Sequence, residues 1–279
     1  MSRGLVIGGS LLLGGGALAY ALSRADVRAA AAAASASLMA TVTPLYEAEV
    51  EGVKQVVAAA KKGVIKVTDA AQVVWSRLKL PSEAQQNIVK HGLGELVDKY
   101  RGPIPKWMVL AIIHTETGGT FDPGIYNYRD GGKYKVGYWR LGAPLPTNSW
   151  ANGLFQILRK FTRDHVPKGT TGYDIDFKDV FDPEKNIYAG LKMLKYNWEK
   201  RVPAQASDAD KLALLYFSHN QGGPTLGVGL AKTKNKLSAR DVITAAGAGM
   251  AGAPLTVALA TATRGGLWAQ LGDLREALA

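Results

Sequence analysis

Between Val109 and Pro123 the chain reads VLAIIHTETGGTFDP, an apolar run ending in one acidic residue, Glu116, with two glycines close behind. Val109, Leu110, Ile112 and Ile113 fall at the intervals of a buried helix. Pro105 stands where a first helical turn tolerates proline, and Gly118 with Gly119 stops the helix, which puts Glu116 in its last turn. A carboxylic acid beside an apolar helix and a glycine turn loses hydration. That loss disfavours the charged form and raises the pKa toward the range a general acid needs near neutral pH. Taken alone, the stretch fits a merely solvated glutamate at a helix end better than a catalytic one.

Three further blocks change that balance. Gly153-Leu154-Phe155-Gln156-Ile157 comes first. Phe181-Asp182-Pro183-Glu184-Lys185-Asn186-Ile187 follows, running into Ala189-Gly190-Leu191-Lys192-Met193-Leu194, and then Leu212-Ala213-Leu214-Leu215-Tyr216-Phe217-Ser218-His219-Asn220-Gln221-Gly222. In order and residue type these resemble the lytic transglycosylase family, which is soluble-lytic-transglycosylase-like and lysozyme-like. Its members show an ESGxxP-like block, a GLMQ block, an FDPxxNIxAGxxYL block and an AYNAG block in that order. The resemblance covers about Trp107 to Gly223. It departs from the pattern at the longer TGGTFDP after Glu116, at a long insertion over 124–152, and at His219, which stands where the family usually has tyrosine. Tyr216, one turn earlier on the same helix face, is the candidate to replace that tyrosine.

The resemblance implies a mainly α, lysozyme-like catalytic domain over 103–240, and the low strand signal there, with helices near Pro105–Thr115, Ala151–Arg163, Pro183–Arg201 and Ala209–Asn220, agrees with it. It implies that Glu116 protonates the glycosidic oxygen between N-acetylmuramic acid and N-acetylglucosamine. As carboxylate, Glu116 then helps take the proton of the muramoyl C6 hydroxyl, closing a 1,6-anhydro ring. No water enters, so the second carboxylate of ordinary glycosidases is dispensable. By the same resemblance Gln156 and the backbone around Gly153 to Phe155 line the saccharide groove, Tyr216 and Asn220 position the substrate or the glutamate, Asn186 orders a loop near the cleft, and Ser149, or else Asn148, stands at the usual serine position. Two other readings stay open. One is a hydrolytic lysozyme on the same fold, with Asp122 or Asp130 placing water; the other is a structural or membrane-penetrating protein whose domain only binds glycan.

The insertion mixes Tyr126, Tyr128, Tyr134, Tyr138, Trp139 and Trp150 with Arg129, Lys133, Lys135 and Arg140. That composition suits a saccharide-stacking flap and an ordinary surface hairpin equally. Asp174, Asp176 and Asp179 lack the glycine and terminal glutamate of an EF-hand loop and read as solvated loop acids. There is no cysteine, hence no disulfide and no thiolate metal site. Neither a metal nor a cofactor is expected.

Around this domain the chain is less polar. Residues 5–22 carry no charge and are flanked by Arg3 and Arg24, which gives 1–24 the character of a membrane segment, a signal peptide or a partner-packed Gly/Ala helix. The alanine-rich 25–102 predicts a helical arm, broken at Pro44 and Pro81, whose Ile88, Leu93, Leu96 and Val97 face the catalytic domain. In 241–279 a second uncharged run, 242–263, is a weaker membrane candidate, interrupted by Pro254 and followed by the amphipathic 267–278.

The net charge of +11 predicts attraction to polyanions, and it does not choose among peptidoglycan, anionic lipid and packaged DNA. With no lipobox cysteine, lipoprotein anchoring is excluded. The uncharged ends suit a phage virion protein that opens peptidoglycan during genome delivery and touches membrane or other virion subunits. The rival setting is a bacterial inner membrane with the domain in the periplasm.

Overall fold

The computed structural model describes residues 51–60, 62, 73–74, 76–130, 133–138, 151–169, 171–234, 236–247 and 249–276, with side chains left out at 127–138 and 273–276. The stretch 5–22, residues 25–50 and parts of 61–75 of the helical arm, Asn148 and Ser149 lie outside these residues. The protein is mainly helical, as expected.

The described chain begins in helical residues 51–60, where Val53, Val57 and Ala60 recur on one face and are buried with Val74 and Leu78. Helices α1 (Glu83–Lys90) and α2 (Leu93–Tyr100) meet at Gly92, whose φ of 58° makes the corner. Leu93 and Val97 are fully buried, and Ile88 and Leu96 pack against the same core, on the face the sequence indicated. Helix α3 (Lys106–Glu116) is buried almost all round, through Met108, Val109, Ala111, Ile112, Ile113 and His114. It stops as its glycines predict. Gly118 and Gly119 have φ of 60° and 86°, and the Gly119 N–H bonds back to the His114 carbonyl at 2.8 Å.

A small antiparallel sheet follows, β1 (Ile125–Asp130), β2 (Lys133–Tyr138), β3 (Ala151–Asn152) and β4 (Ile157–Leu158), in the order β2-β1-β3-β4. The first two strands form a hairpin with Ile125 opposite Tyr138 and Asp130 opposite Lys133. The helix expected over 151–163 is therefore corrected to strand, turn and strand, closed by a 3₁₀ turn at Arg159–Phe161. Two backbone positions exclude a helix there, Gly153 at φ 73° and Gln156 at φ 46°. Nonlocal pairing of Tyr126 with Asn152 captures the segment instead.

Helix α4 (Pro183–Lys200) starts with Asp182 accepting the Lys185 N–H at 2.9 Å and with Pro183 in its first turn. Helix α5 (Asp208–Gln221) is capped by Ser207 and buries Leu212 to Ser218 without a break. Helices α6 (Gly223–Lys232), α7 (Ala239–Ala246) and α8 (Ala253–Glu276) complete the described chain.

The reading of 242–263 as a membrane segment is also corrected. The run is divided between α7 and α8, and Val242, Ile243, Leu255, Ala258 and Thr261 are buried in the protein core. Helix α8 lies across α5 and α3. At Gly265 a methyl group would stand 2.2 Å from the Leu212 side chain and 2.9 Å from the Trp107 ring, so only glycine permits this approach. Among the described residues no helix is long and apolar enough to cross a membrane. The core thus continues past residue 240, through Leu267, Trp268 and Leu271.

Candidate active site

The end of α3 and the last turns of α5 bring three side chains together. Glu116, the final residue of α3, has a side chain only 10% exposed, and its Oε1 is buried with no hydrogen-bond partner. Burial raises its pKa to about 7, an effect partly offset by a hydrogen-bonding interaction with the Tyr216 hydroxyl. Tyr216 is itself pushed up by burial and by the Glu116 charge, so it stays a protonated donor. His219 follows one turn later on α5, its Nε2 3.8 Å from Glu116 Oε1. Burial lowers the histidine to about 4, against a smaller upward effect from the Phe155 backbone. The ring is consequently neutral at pH 7 and forms no ion pair with the glutamate. Such a site holds a carboxylic acid able to give its proton at neutral pH and to act as base afterwards.

Asn186 and Gly153 shape the turn that carries Phe155, whose ring packs edge-on to His219. Asn186 is fully buried; its side chain accepts the Phe155 N–H at 2.9 Å and donates to the carbonyls of Val180 at 2.7 Å and Asn152 at 3.4 Å. At Gly153 a side chain would meet the Val180 carbonyl oxygen at 2.3 Å and Asn186 at 2.4 Å. Gln156 donates to the Gly153 carbonyl at 2.8 Å and to that of Ile125 at 3.4 Å, which fixes its amide against the turn.

The sequence placed Glu116, Tyr216 and Gln156 in the site, and the structure puts Glu116 and Tyr216 in contact and Gln156 on the neighbouring turn. Asn186 is a buried support of that turn through its bonds to Phe155, Asn152 and Val180. The ring of Phe155 is fully buried against Gly190, where an added methyl would come within 2.3 Å of it, and stands edge-on to His219 at 5.7 Å, so only the backbone of Phe155 is left to line a groove. Asn220 is exposed beside His219. Ser149 and its alternative Asn148 fall outside the described residues, and of the hairpin aromatics Tyr128, Tyr134 and Tyr138 only the backbone is described. The carboxylate of Asp122 accepts the Gly124 N–H at 2.7 Å within its own turn. Asp174, Asp176 and Asp179 are ion-paired on the surface with Arg163, Lys192 and Lys185.

Two groups near the acid were missed. Tyr173, from the segment between β4 and α4, places its hydroxyl 3.2 Å from His219 Nδ1, and no local pattern distinguishes it from any loop tyrosine. Helix α8 supplies the other. Arg264 donates to the Thr115 hydroxyl at 3.2 Å, Thr261 meets the same hydroxyl at 3.0 Å, and Trp268 donates to His114 Nδ1 at 3.3 Å. Arg264 is the first charge after the uncharged 242–263, a signal that the membrane reading obscured.

A family model described as the transglycosylase SLT domain matches residues 97–241, just over half of the chain. Comparison with curated proteins gives no match, and neither does comparison with solved structures.

Proposed function

The chain belongs to the transglycosylase SLT domain family, and from that premise we propose that it cleaves the β-1,4 bond between N-acetylmuramic acid and N-acetylglucosamine with formation of 1,6-anhydromuramic acid. Family membership gives a peptidoglycan-cleaving enzyme of the lytic transglycosylase type. The observation that carries the finer reading is the buried carboxyl of Glu116, with a pKa of about 7 and Tyr216 as its hydrogen-bonding neighbour. Glu116 protonates the leaving glycosidic oxygen. The carboxylate left behind accepts the C6 hydroxyl proton as that oxygen closes on C1.

The test is digestion of purified peptidoglycan by the full chain, with mass analysis of the muropeptides. The expected products end in 1,6-anhydromuramic acid, lighter by one water than the reducing-end products that a hydrolase on the same fold would give. Reducing ends alone would sink the transglycosylase reading.

The pH dependence has a definite sign. The first step needs Glu116 protonated, and its pKa is raised to about 7. The single-turnover rate is therefore high below that value and falls as pH rises through it, by about tenfold per unit on the alkaline side. A rate still flat at pH 9 would exclude Glu116 as the acid.

The biological setting forms part of the same proposal: a phage virion protein that opens the wall locally during genome delivery. The uncharged 5–22 flanked by arginines and the net charge of +11 support it, as they fit contact with an anionic membrane surface. Finding the protein in purified particles would establish the setting. Its presence only in the host inner membrane would replace it.

A further inference from the structure

We propose that His219 is the positioning residue that donates a hydrogen bond from Nε2 to Oε1 of the Glu116 carboxylate once the proton has left, and that Tyr173 holds the imidazole in the tautomer this requires. The inference rests on the reading of Glu116 as acid and base. It concerns the one position where the last block of this chain departs from the family's tyrosine.

Three observations support it. Oε1 of Glu116 is buried without a hydrogen-bond partner, a condition tolerable for a neutral acid and costly for an anion. Nε2 of His219 stands 3.8 Å away, just beyond a hydrogen bond and close enough to form one when the oxygen gains charge. The third concerns which ring nitrogen carries the proton. A neutral imidazole has one N–H. The Tyr173 hydroxyl, 3.2 Å from Nδ1, has no other hydrogen-bonding partner among the described residues, and burial with the Glu116 charge keeps it protonated. Donating to Nδ1 satisfies that hydroxyl and leaves the ring proton on Nε2.

The ring itself is held in place by edge-on contacts with Phe155 at 5.7 Å and Tyr173 at 6.4 Å. The Phe155 backbone exerts a smaller upward pull on the His219 pKa, outweighed by burial. The other titratable or charged groups near this centre, among the described residues, are Tyr216 on α5 and Arg264 on α8, and the effect of Arg264 falls on Tyr216.

The test uses the full chain with ¹⁵N-labelled histidine and ¹³C-labelled glutamate carboxyls, comparing wild type, Tyr173→Phe and His219→Gln. In wild type the His219 nitrogens must report the Nε2–H form. Tyr173→Phe must give a mixture of tautomers and raise the Glu116 pKa, because the carboxylate loses part of its donor. On peptidoglycan its kcat must fall a few-fold with KM little changed, in proportion to the Nε2–H form lost, whereas His219→Leu, which removes the donor, must lose about tenfold or more, the size expected for one hydrogen bond to a charged group. His219→Gln, whose amide keeps a donor at similar reach, must retain more activity than His219→Leu.

An Nδ1–H tautomer in wild type, or a Tyr173→Phe protein with an unchanged tautomer and unchanged Glu116 titration, overturns the proposal. A wild-type protein inactive on peptidoglycan would defeat the enzymatic reading alone. The tautomer and the Glu116 titration would still decide whether the hydrogen bond exists.

Discussion

Glu116→Gln is expected to abolish formation of anhydromuropeptides while leaving the protein folded and, above neutral pH, more stable than wild type. The loss in kcat is about 10²- to 10⁴-fold, the contribution of one positioned general acid, and lies at the upper end because the same group also serves as base. The stability change follows from linkage. The Glu116 pKa is raised in the folded protein from 4.5 to about 7, since the charged form is buried with one oxygen unpaired. A group raised in this way contributes its full stability below its unfolded value and loses it as pH climbs through the folded value. Glutamine cannot ionise and so avoids that loss.

The two proteins should thus have similar unfolding free energies near pH 4.5 and separate through pH 7. The mutant should end above the wild type by up to about 3 kcal/mol at pH 9. Denaturant unfolding at several pH values measures the difference, and muropeptide analysis measures the activity. Equal stabilities at pH 9 would mean that Glu116 is better solvated than its 10% exposure indicates. Retained activity would move the acid elsewhere.

The parts of this site legible in the sequence are those fixed by local rules. Helix α3 was legible because an unbroken apolar run lies between Pro105 and a glycine pair, and the structure starts α4 at Asp182 and Pro183 and ends α5 at Gly222 by the same local rules. Residues 151–163 were misread because Leu154, Ile157, Leu158 and Phe161 suit a helix locally. The groups that decide otherwise are distant in sequence, β1 and the Asn186 side chain. The motif around Phe155 marks the place of the turn, and only packing against Gly190 reveals that its ring points inward. The segment 242–263 was ambiguous in principle. Small apolar residues serve a helix equally well against lipid and against protein, and the deciding features are Gly265 on Leu212 and Trp107 and the polar contacts of Thr261 and Arg264 with Thr115.

That packing leads to the second large effect. A chain ending at residue 252 is expected not to fold, even though it contains the whole segment matched to the family. Helix α8 brings Leu255, Leu267, Trp268 and Leu271 into the core, each at most 7% exposed. At roughly 1.5–3 kcal/mol for each large apolar side chain, their removal costs about 6–12 kcal/mol, comparable with the roughly 5–15 kcal/mol that holds a domain of ordinary stability together. The deletion also uncovers α3 at Trp107, His114 and Thr115 and α5 at Leu212.

Trp268→Ala is the milder version. It should cost about 3–5 kcal/mol, stay folded in the cold, and lose the hydrogen bond to His114. Thermal unfolding followed by circular dichroism separates the two variants. The membrane alternative makes the opposite prediction, since a segment serving only to contact lipid could be removed with the domain's melting temperature unchanged and only vesicle binding lost. A truncated chain that melts like the full-length protein would therefore return α8 to that role, and one that fails to fold would make α8 part of the enzyme.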